Sequence, residues 1–394
     1  MNKRITLVGF PALVATTLVL ASCSTPLSPD RATSMAPPRF DATGPAAPSS
    51  GLVLDQWNGS LNESSINPAT CDGNNPCFIK GFNPQNPHVG DAIIATFVWT
   101  GSTNIITSVT DHITNVDRTP VGNQYTLLRY VTDGSVSMAT YVATNVKNFD
   151  DASTDPNRTL AVRANLSQSV NDGGVVLSAY SGLPVTVGQS ASAQGAGRAP
   201  TVAAPGQVSV AAGGLAYGVT MSGTLVGVDE PGAPFSLIAV QTDNFMRVDA
   251  NYAVLPNAGT VNPQWTWFFD PTQPGNWLTT AVVLNPAATH LVFTVQPSTT
   301  LPLMTITPAV KVAAEDDLGN IVTTFTGSVT IAIGHNGGLV LPGTLSGTKT
   351  VALVNGVGTF SDLSIDQAGT GYTLQVTNSG LRAAESAPFN ISAL

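Results

Sequence analysis

The stretch MRVDANYAV, residues 246–254, shows most directly how this chain folds. Apolar and polar side chains alternate along it: Met246 and Val248 are apolar, and Arg247 and Asp249 are charged. Successive side chains of a β-strand point to opposite faces of the sheet. The alternation therefore predicts a strand with one buried face and one solvent-exposed face.

Similar segments recur along the chain, each bounded by Gly, Asn, Asp or Pro, which favour turns. Charged residues make up only 10% of the chain, and it contains 37 Gly and 28 Pro. These features predict an all-β fold in which residues 51–287 form one large antiparallel β-sandwich of two packed sheets. The other candidate strands are 92–99, 125–131, 136–146, 159–166, 175–180, 215–221 and 277–284.

The charge and motif content exclude several classes of function. The formal net charge of −9 argues against a nucleic-acid partner. The sequence contains no GxSxG, HExxH, Walker or GxGxxG motif, so we expect no catalytic residues and no cofactor. The four histidines are isolated in loop-like segments, and we interpret them as surface residues without a catalytic or metal-binding role: His88, His112, His290 and His335.

The N-terminus has the features of an export signal. Lys3 and Arg4 precede an apolar stretch at residues 5–20 that is too short to span a bilayer. The stretch ends in LASC, residues 20–23, which resembles the lipobox of bacterial lipoproteins. That resemblance implies a signal peptide at 1–22, lipidation at Cys23 and attachment to a membrane through the lipid, at the outer membrane or cell surface if the cell has two membranes. An ordinary secretory signal with a chance cysteine is the alternative.

Residues 23–50 begin with the lipidated cysteine and continue as a Pro-, Ser- and Ala-rich segment without apolar periodicity. Such a composition predicts a disordered tether. If Cys23 is lipidated, Cys71 and Cys77 remain as a pair in an oxidising compartment, and we expect a disulfide between them. A metal site that recruits His88 to the two sulfurs would lack the paired CxxC spacing of zinc sites.

Four pieces of the predicted large sandwich resemble a jelly-roll-like module of bacterial secreted and surface proteins. The pieces are GDAIIATFVW (90–99), SVTD (108–111), GNQYTLL (122–128) and VLSAYSGL (176–183). The resemblance implies a jelly-roll-like sandwich without catalytic residues. SVTD and GNQYTLL usually form one hairpin in that family, so the intervening HITNVDRTPV predicts an enlarged hairpin here.

Residues 288–394 form the last predicted domain. Its segments LVFTVQPS (291–298) and VKVAAEDDLGNIVTTFTGSVTIAI (310–333) resemble a bacterial immunoglobulin-like repeat. The resemblance implies a small Ig-like β-sandwich. The alternation also predicts three inward faces, joined by DDLGN and VNGVG turns: Val310, Val312 and Ala314; Val329, Ile331 and Ile333; and Tyr372, Leu374 and Val376.

Two groups of residues are candidate binding sites. Trp265 and Trp267 are two apart, so they share one face of a strand and form either a stacking platform for sugars, if that face is exposed, or part of the core. We favour the core, because Trp is highly buried on average. Asp150, Asp151 and Asp155 are a weak Ca²⁺ candidate, for which a solvated acidic turn is the favoured interpretation.

Three functions fit these observations. The first is a noncatalytic surface lipoprotein that displays β-sandwich modules for adhesion or cell-envelope interaction, with an envelope, glycan or protein ligand. The second is a lectin-like carbohydrate-binding protein that uses an exposed Trp platform. The third is a hydrolase whose site the sequence does not reveal, and we rank it last.

Overall fold

The computed structural model describes residues 51–61, 76–83, 85–114, 120–147, 149 and 158–393. These residues form 29 β-strands and no helix. The pairs between these strands are all antiparallel. The predicted all-β, sandwich-like fold is confirmed. In the part of the chain that the structure describes, there is accordingly no helix with the length and apolarity needed to cross a membrane.

The first segment, residues 51–181, contains two sheets. A five-stranded sheet has the order β1-β8-β3-β6-β5, and a three-stranded sheet has the order β2-β7-β4. The strands are β1 (Val53–Leu61), β2 (Cys77–Gly81), β3 (Ala92–Thr100), β4 (Ile106–Ile113), β5 (Thr126–Thr132), β6 (Val136–Ala143), β7 (Leu160–Leu166) and β8 (Gly173–Ser181).

The second segment, residues 185–286, also contains a five-stranded sheet, in the order β9-β18-β12-β15-β14. Beside it lie a three-stranded sheet, β10-β17-β13, and a two-stranded sheet, β11-β16. The strands are β9 (Val185–Gly197), β10 (Thr201–Ala203), β11 (Val208–Val210), β12 (Leu215–Ser222), β13 (Val228–Asp229), β14 (Ser236–Thr242), β15 (Arg247–Val254), β16 (Gly259–Val261), β17 (Trp265–Trp267) and β18 (Gly275–Pro286).

The two segments use the same strand order. In the first segment, β1 pairs with β8, which pairs with β3. In the second, β9 pairs with β18, which pairs with β12. In the smaller sheets, β2 lies beside β7 and β10 lies beside β17. This double-sheet arrangement of about eight strands is jelly-roll-like. Both segments lie within residues 51–287, and we refer to them as the first and the second sandwich.

The prediction of an enlarged hairpin between SVTD and GNQYTLL is wrong. The strand that contains SVTD is β4, which pairs with β7, whereas β5 pairs with β6 in the other sheet. The connection between β4 and β5 therefore crosses from one sheet to the other. A single sequence does not show this, because either pairing leaves the local alternation unchanged.

The two five-stranded sheets pack face to face. Their facing side chains form one core, to which the first segment contributes Ile94, Val98 and Met138 and the second contributes Tyr217 and Met221, among others. The opposite face of the first sheet packs on β2-β7-β4. The opposite face of the second packs on the smaller sheets of its own segment. Both large sheets are thus covered on both faces.

The covering of both faces changes the interpretation of residues 246–254. The face with Asp249 and Asn251 was expected to be exposed to solvent, but both side chains are buried. The Trp265 indole, on β17, lies over this face and donates from Nε1 to Asn251 Oδ1 at 3.1 Å. Alternation identified the strand, but a second sheet covers the polar face.

The C-terminal segment has its own core and four small sheets: β19-β20-β24, β23-β21-β27-β28, β22-β25 and β26-β29. The predicted inward faces are confirmed, with eight of the nine side chains buried and Ile333 half-buried. The strands are β19 (His290–Val295), β20 (Val310–Glu315), β21 (Ser328–Ile333), β22 (Leu345–Ser346), β23 (Thr350–Ala352), β24 (Val357–Phe360), β25 (Ser364–Ile365), β26 (Gly369–Tyr372), β27 (Leu374–Thr377), β28 (Ala384–Glu385) and β29 (Phe389–Ile391).

Both predicted turns are present in this segment. In DDLGN, Asp316 Oδ1 accepts hydrogen bonds from the backbone N–H groups of Leu318 and Asn320, each at 2.9 Å. In VNGVG, Asn355 and Gly356 have positive φ of 50° and 75°. Two successive residues with positive φ are the requirement of a type I′ hairpin turn, which Asn-Gly satisfies.

Candidate functional site

A β-bulge in the first strand places a carboxylate inside the protein. In the pairing of β1 with β8, Leu54 lies opposite Tyr180 and Gln56 lies opposite Ala179, so Asp55 has no partner residue. Bulges of this kind bend a strand and redirect a side chain. The Asp55 side chain is completely buried, and no N–H group or alcohol hydroxyl donates a hydrogen bond to its Oδ1.

A tight turn before β3 supplies two more polar side chains. The Asp91 backbone N–H donates to the His88 carbonyl at 3.1 Å, and the His88 N–H donates to Asp91 Oδ2 at 2.8 Å. Gly90 has φ of 93°, a conformation that glycine adopts without strain. The turn is tied to the neighbouring loop, because Gly90 N–H donates to the Val146 carbonyl and Val146 N–H donates to the Asp91 carbonyl.

The bulge and the turn bring Asp55, His88 and Asp91 together. His88 Nδ1 lies 2.9 Å from Asp55 Oδ2, and one potential ligand atom from each of the three residues lies within 4.8 Å of the others. The side chain of His88 is 41% exposed and that of Asp55 is 0% exposed, so His88 forms the solvent side of the cluster.

The pKa of Asp91 in this cluster is far above the ordinary value of an aspartate. Burial, followed by a side-chain hydrogen bond to Asp55 and the negative charge of Asp55, raises the pKa of Asp91 to about 9. Two carboxylates at this distance cannot both be charged in a buried site without a compensating cation. The arrangement therefore holds either a proton shared by the carboxyl groups or a metal ion.

Two further carboxyl pairs lie elsewhere in the two sandwiches. Burial, and then the charge of Asp249, raises the pKa of Glu230 to about 8. Asp249 is buried and binds Arg247, whose Nε donates to both carboxylate oxygens at 3.0 Å. In the other pair, burial and then the charge of Asp243 raise the pKa of Asp172 to about 6. Among the described residues, neither pair belongs to a group of three potential metal ligands.

The predicted tryptophan pair belongs to the core. Trp265 and Trp267 are both fully buried. Their Nε1 atoms donate to Asn251 Oδ1 at 3.1 Å and to Thr220 Oγ1 at 3.3 Å, so the polar end of each indole is satisfied inside the protein. The alternative of an exposed sugar-binding platform is wrong, because the shared face of β17 packs on the large sheet.

Cys77 is buried and disulfide-bonded. Its predicted partner Cys71 lies outside the described residues. So do the predicted lipidation site Cys23 and the weak Ca²⁺ candidates Asp150, Asp151 and Asp155.

The sequence interpretation missed the cluster at the bulge. It treated His88 as an isolated surface residue and singled out neither Asp55 nor Asp91. The only local indication of this site in the sequence was Asp91, directly before the apolar residues of β3. The bulge that turns Asp55 inwards depends on pairing with a strand about 120 residues later, which local alternation does not reveal.

A second surface feature lies on the C-terminal segment. Three consecutive aliphatic side chains, Leu339, Val340 and Leu341, are 67%, 91% and 61% exposed. A neighbouring loop exposes Leu303, at 72%, and Met304. Leu303 has φ of 63°, which is rare and strained for a residue with a side chain.

Both loops are held by the same stretch of backbone. The Leu303 N–H donates to the Ile365 carbonyl at 2.8 Å, and the Leu339 N–H donates to the Ala368 carbonyl at 3.2 Å. The two acceptors are three residues apart, so their Cα atoms lie within about 11 Å of each other. We refer to residues 301–304 and 339–341 together as the apolar loops.

The chain was also compared with known proteins. No protein family, no curated protein and no solved structure matched it.

Proposed function

We propose that this chain is a noncatalytic surface lipoprotein that displays its β-sandwiches for adhesion or cell-envelope interaction, and that it binds its partner through the apolar loops. The single observation that carries the proposal is the exposure of Leu339, Val340 and Leu341 on one loop. Isolated exposed aliphatic residues are ordinary on protein surfaces, but a contiguous group marks a protein–protein or membrane contact.

The second loop strengthens this interpretation. Leu303 is exposed and has a backbone conformation that costs about 1–2 kcal/mol for an L-residue. Strained residues of this kind cluster at binding sites, where the surrounding structure holds them in place. Here the hydrogen bond from Leu303 to Ile365 provides that support.

The charge around the loops favours a protein partner over a lipid surface. Asp366 lies at the base of the 339–341 loop, where its Oδ1 accepts a hydrogen bond from Thr344 N–H at 2.7 Å. The whole chain has a formal net charge of −9. Bacterial envelope lipids are commonly anionic and would repel such a surface, whereas an apolar patch on a protein would not.

The scaffold suits display. The apolar loops lie on the C-terminal segment, whose own core of buried side chains supports them. The LASC sequence at residues 20–23 supports anchoring by lipid at Cys23, and two or more acyl chains would hold the protein stably at a membrane.

The experiment that tests the proposal compares binding of the wild-type chain with that of the triple variant Leu339→Ser, Val340→Ser and Leu341→Ser. Each protein is coupled to beads through its N-terminus, and bead adhesion to protein-containing envelope preparations and to protein-free vesicles of envelope lipids is counted. We expect the wild type to adhere to the envelope preparation and the triple variant to lose most of that adhesion.

The matched control is Phe245→Ser, because Phe245 is 63% exposed on a different loop. This variant should adhere like the wild type. Equal adhesion by the wild type and the triple variant would refute the proposed role of the loops. Adhesion to the protein-free vesicles that depends on the loops would replace the protein partner with a lipid surface.

A further inference from the structure

We propose that Asp55, His88 and Asp91 form a binding site for a divalent transition-metal ion, with zinc as the ion that best fits the ligands. Among the described residues, these three are the group whose potential ligand atoms come together within 4.8 Å. An imidazole nitrogen and carboxylate oxygens are common zinc ligands, whereas Ca²⁺ requires six to eight oxygen ligands.

The first argument is the unsatisfied oxygen of Asp55. Its Oδ1 is buried, and no N–H group or alcohol hydroxyl donates a hydrogen bond to it, although its Oδ2 contacts His88. A buried carboxylate oxygen without a donor is costly, and native proteins rarely leave one. A metal ion between the three side chains would satisfy it.

The second argument is the chemical composition of the cluster, compared with the other carboxyl pairs of the chain. The pairs Glu230–Asp249 and Asp172–Asp243 also contain buried carboxylate oxygens without a partner. Only at Asp55 and Asp91 does an imidazole nitrogen join the carboxylates in such a group, within the part of the chain that the structure describes. Imidazole is the ligand that selects zinc and its neighbours over Mg²⁺ and Ca²⁺.

The contact between His88 and Asp55 requires little rearrangement to bind zinc. In a tetrahedral zinc site, a nitrogen and an oxygen ligand are about 3.3 Å apart, given metal–ligand distances near 2.0–2.1 Å. The observed separation of His88 Nδ1 and Asp55 Oδ2 is 2.9 Å, so the two side chains need to separate by only a few tenths of an ångström. The partly exposed His88 provides the path by which an ion enters.

The ion would link parts of the sheet that are not direct neighbours. Asp55 lies on the edge strand β1, while His88 and Asp91 belong to the turn before β3, and β8 separates β1 from β3. Three protein ligands leave at least one coordination position for water or for a ligand atom of another molecule. Binding should therefore stabilise the first sandwich and leave the metal accessible from the His88 side.

The test uses the purified full-length chain after removal of metals with a chelator. Zn²⁺, Ca²⁺ and Mg²⁺ are titrated separately by isothermal calorimetry, and the melting temperature is measured with and without each ion. Co²⁺ is used as a spectroscopic substitute for Zn²⁺, because its visible absorption reports the coordination geometry. We expect one Zn²⁺ per chain, a higher melting temperature with Zn²⁺, and little response to Ca²⁺ or Mg²⁺.

The variants are His88→Gln, Asp55→Asn and, as the matched control, Glu230→Gln. His88→Gln removes the imidazole at a partly exposed position and should fold normally, which circular dichroism checks. It should weaken Zn²⁺ binding at least tenfold and change the Co²⁺ spectrum. Glu230→Gln alters a carboxyl pair without an imidazole and should bind Zn²⁺ like the wild type.

Two results would overturn the proposal. One is the absence of binding heat and of any thermal shift with Zn²⁺ in the folded wild type, which would leave a shared proton as the only bridge between the two carboxyl groups. The other is Zn²⁺ binding that survives both His88→Gln and Asp55→Asn unchanged, which would place the ion elsewhere on the chain.

Discussion

The hydroxyl of Tyr217 lies 3.0 Å from Oγ1 of Thr96, and this buried contact joins β12 of the second sandwich to β3 of the first. Thr96 Oγ1 also lies 3.0 Å from Thr140 Oγ1. The two hydroxyl side chains of the first sandwich thus meet the tyrosine of the second inside a largely apolar interface. The interface couples the two sandwiches by both packing and hydrogen bonding.

The first prediction concerns this contact. Tyr217→Phe removes one buried hydrogen bond and preserves the ring, so we expect the free energy of unfolding to fall by about 0.5–1.5 kcal/mol. Urea unfolding followed by circular dichroism measures the change. Tyr130→Phe is the control, because the Tyr130 hydroxyl donates to the Ser102 carbonyl near the surface. It also lies 3.1 Å from Ser137 Oγ, but the site is less buried than that of Tyr217, so its loss should cost less. A larger effect at Tyr130 would contradict the importance of the interface bond.

The second prediction concerns pH. The pKa of Glu230 is about 8 in the folded protein, against 4.5 as its ordinary value. Between these values the folded chain holds a proton that the unfolded chain has released, so stability falls as the pH rises. The contribution is fully present below pH 4.5 and is lost as the pH passes through 8. A single such group changes the free energy of unfolding by at most about 1.4 kcal/mol per pH unit.

Glu230→Gln should make the decline of stability between pH 5 and pH 7.5 shallower than in the wild type. The measurement is chemical unfolding at several pH values in that range. The exposed neighbour Asp229 provides the control, since Asp229→Asn removes a formal charge at the adjacent position. Parallel stability curves for the wild type and Glu230→Gln would show that the carboxyl group is not protonated in the folded chain.

The third prediction compares two glycines with the same backbone conformation. Gly356 and Gly371 have φ of 75° and 74°. A Cβ at Gly356 would lie 2.6 Å from the Val322 carbonyl oxygen, whereas a Cβ at Gly371 would meet nothing within 4 Å. Alanine at either position incurs the left-handed penalty of about 1–2 kcal/mol.

Gly356→Ala should therefore destabilise the C-terminal segment more than Gly371→Ala does. Thermal unfolding of the two variants, beside the wild type, measures the difference. If both variants melt at the same temperature, the close approach to Val322 has no energetic consequence.

The fourth prediction concerns the anchor. Cys23→Ser removes the residue that the LASC resemblance assigns to lipidation, so the protein should move from the membrane fraction to the soluble fraction. Cell fractionation followed by mass spectrometry of the N-terminal peptide detects both changes. Ser24→Ala alters the adjacent residue and should keep the lipid. Retention of Cys23→Ser in the membrane fraction would refute the lipid anchor.

Much of the fold could be predicted from alternation. The all-β class, the inward faces of the C-terminal segment and the DDLGN and VNGVG turns are all confirmed, because they depend on residues close in sequence. The preferred burial of Trp265 and Trp267 is confirmed as well.

The covering of both sheet faces and the candidate site could not be predicted in the same way. The alternation places Asp249 and Asn251 on the face that was predicted to be exposed to solvent. The later strand β17 covers that face. Asp55 becomes a candidate ligand only because β1 pairs with β8 through a bulge. Such features depend on which distant strands meet, and hydrophobic periodicity does not specify that choice.

The strand order has a mechanical consequence. Val53 lies opposite Ser181 in the first sandwich, and Val185 lies opposite Pro286 in the second, so the chain enters and leaves each sandwich at paired residues. The Ala287 N–H donates to the Pro184 carbonyl at 2.8 Å at the same junction. A pulling force along the chain would therefore load these pairs one after another and peel the first and last strands apart, so that the protein would yield gradually under tension.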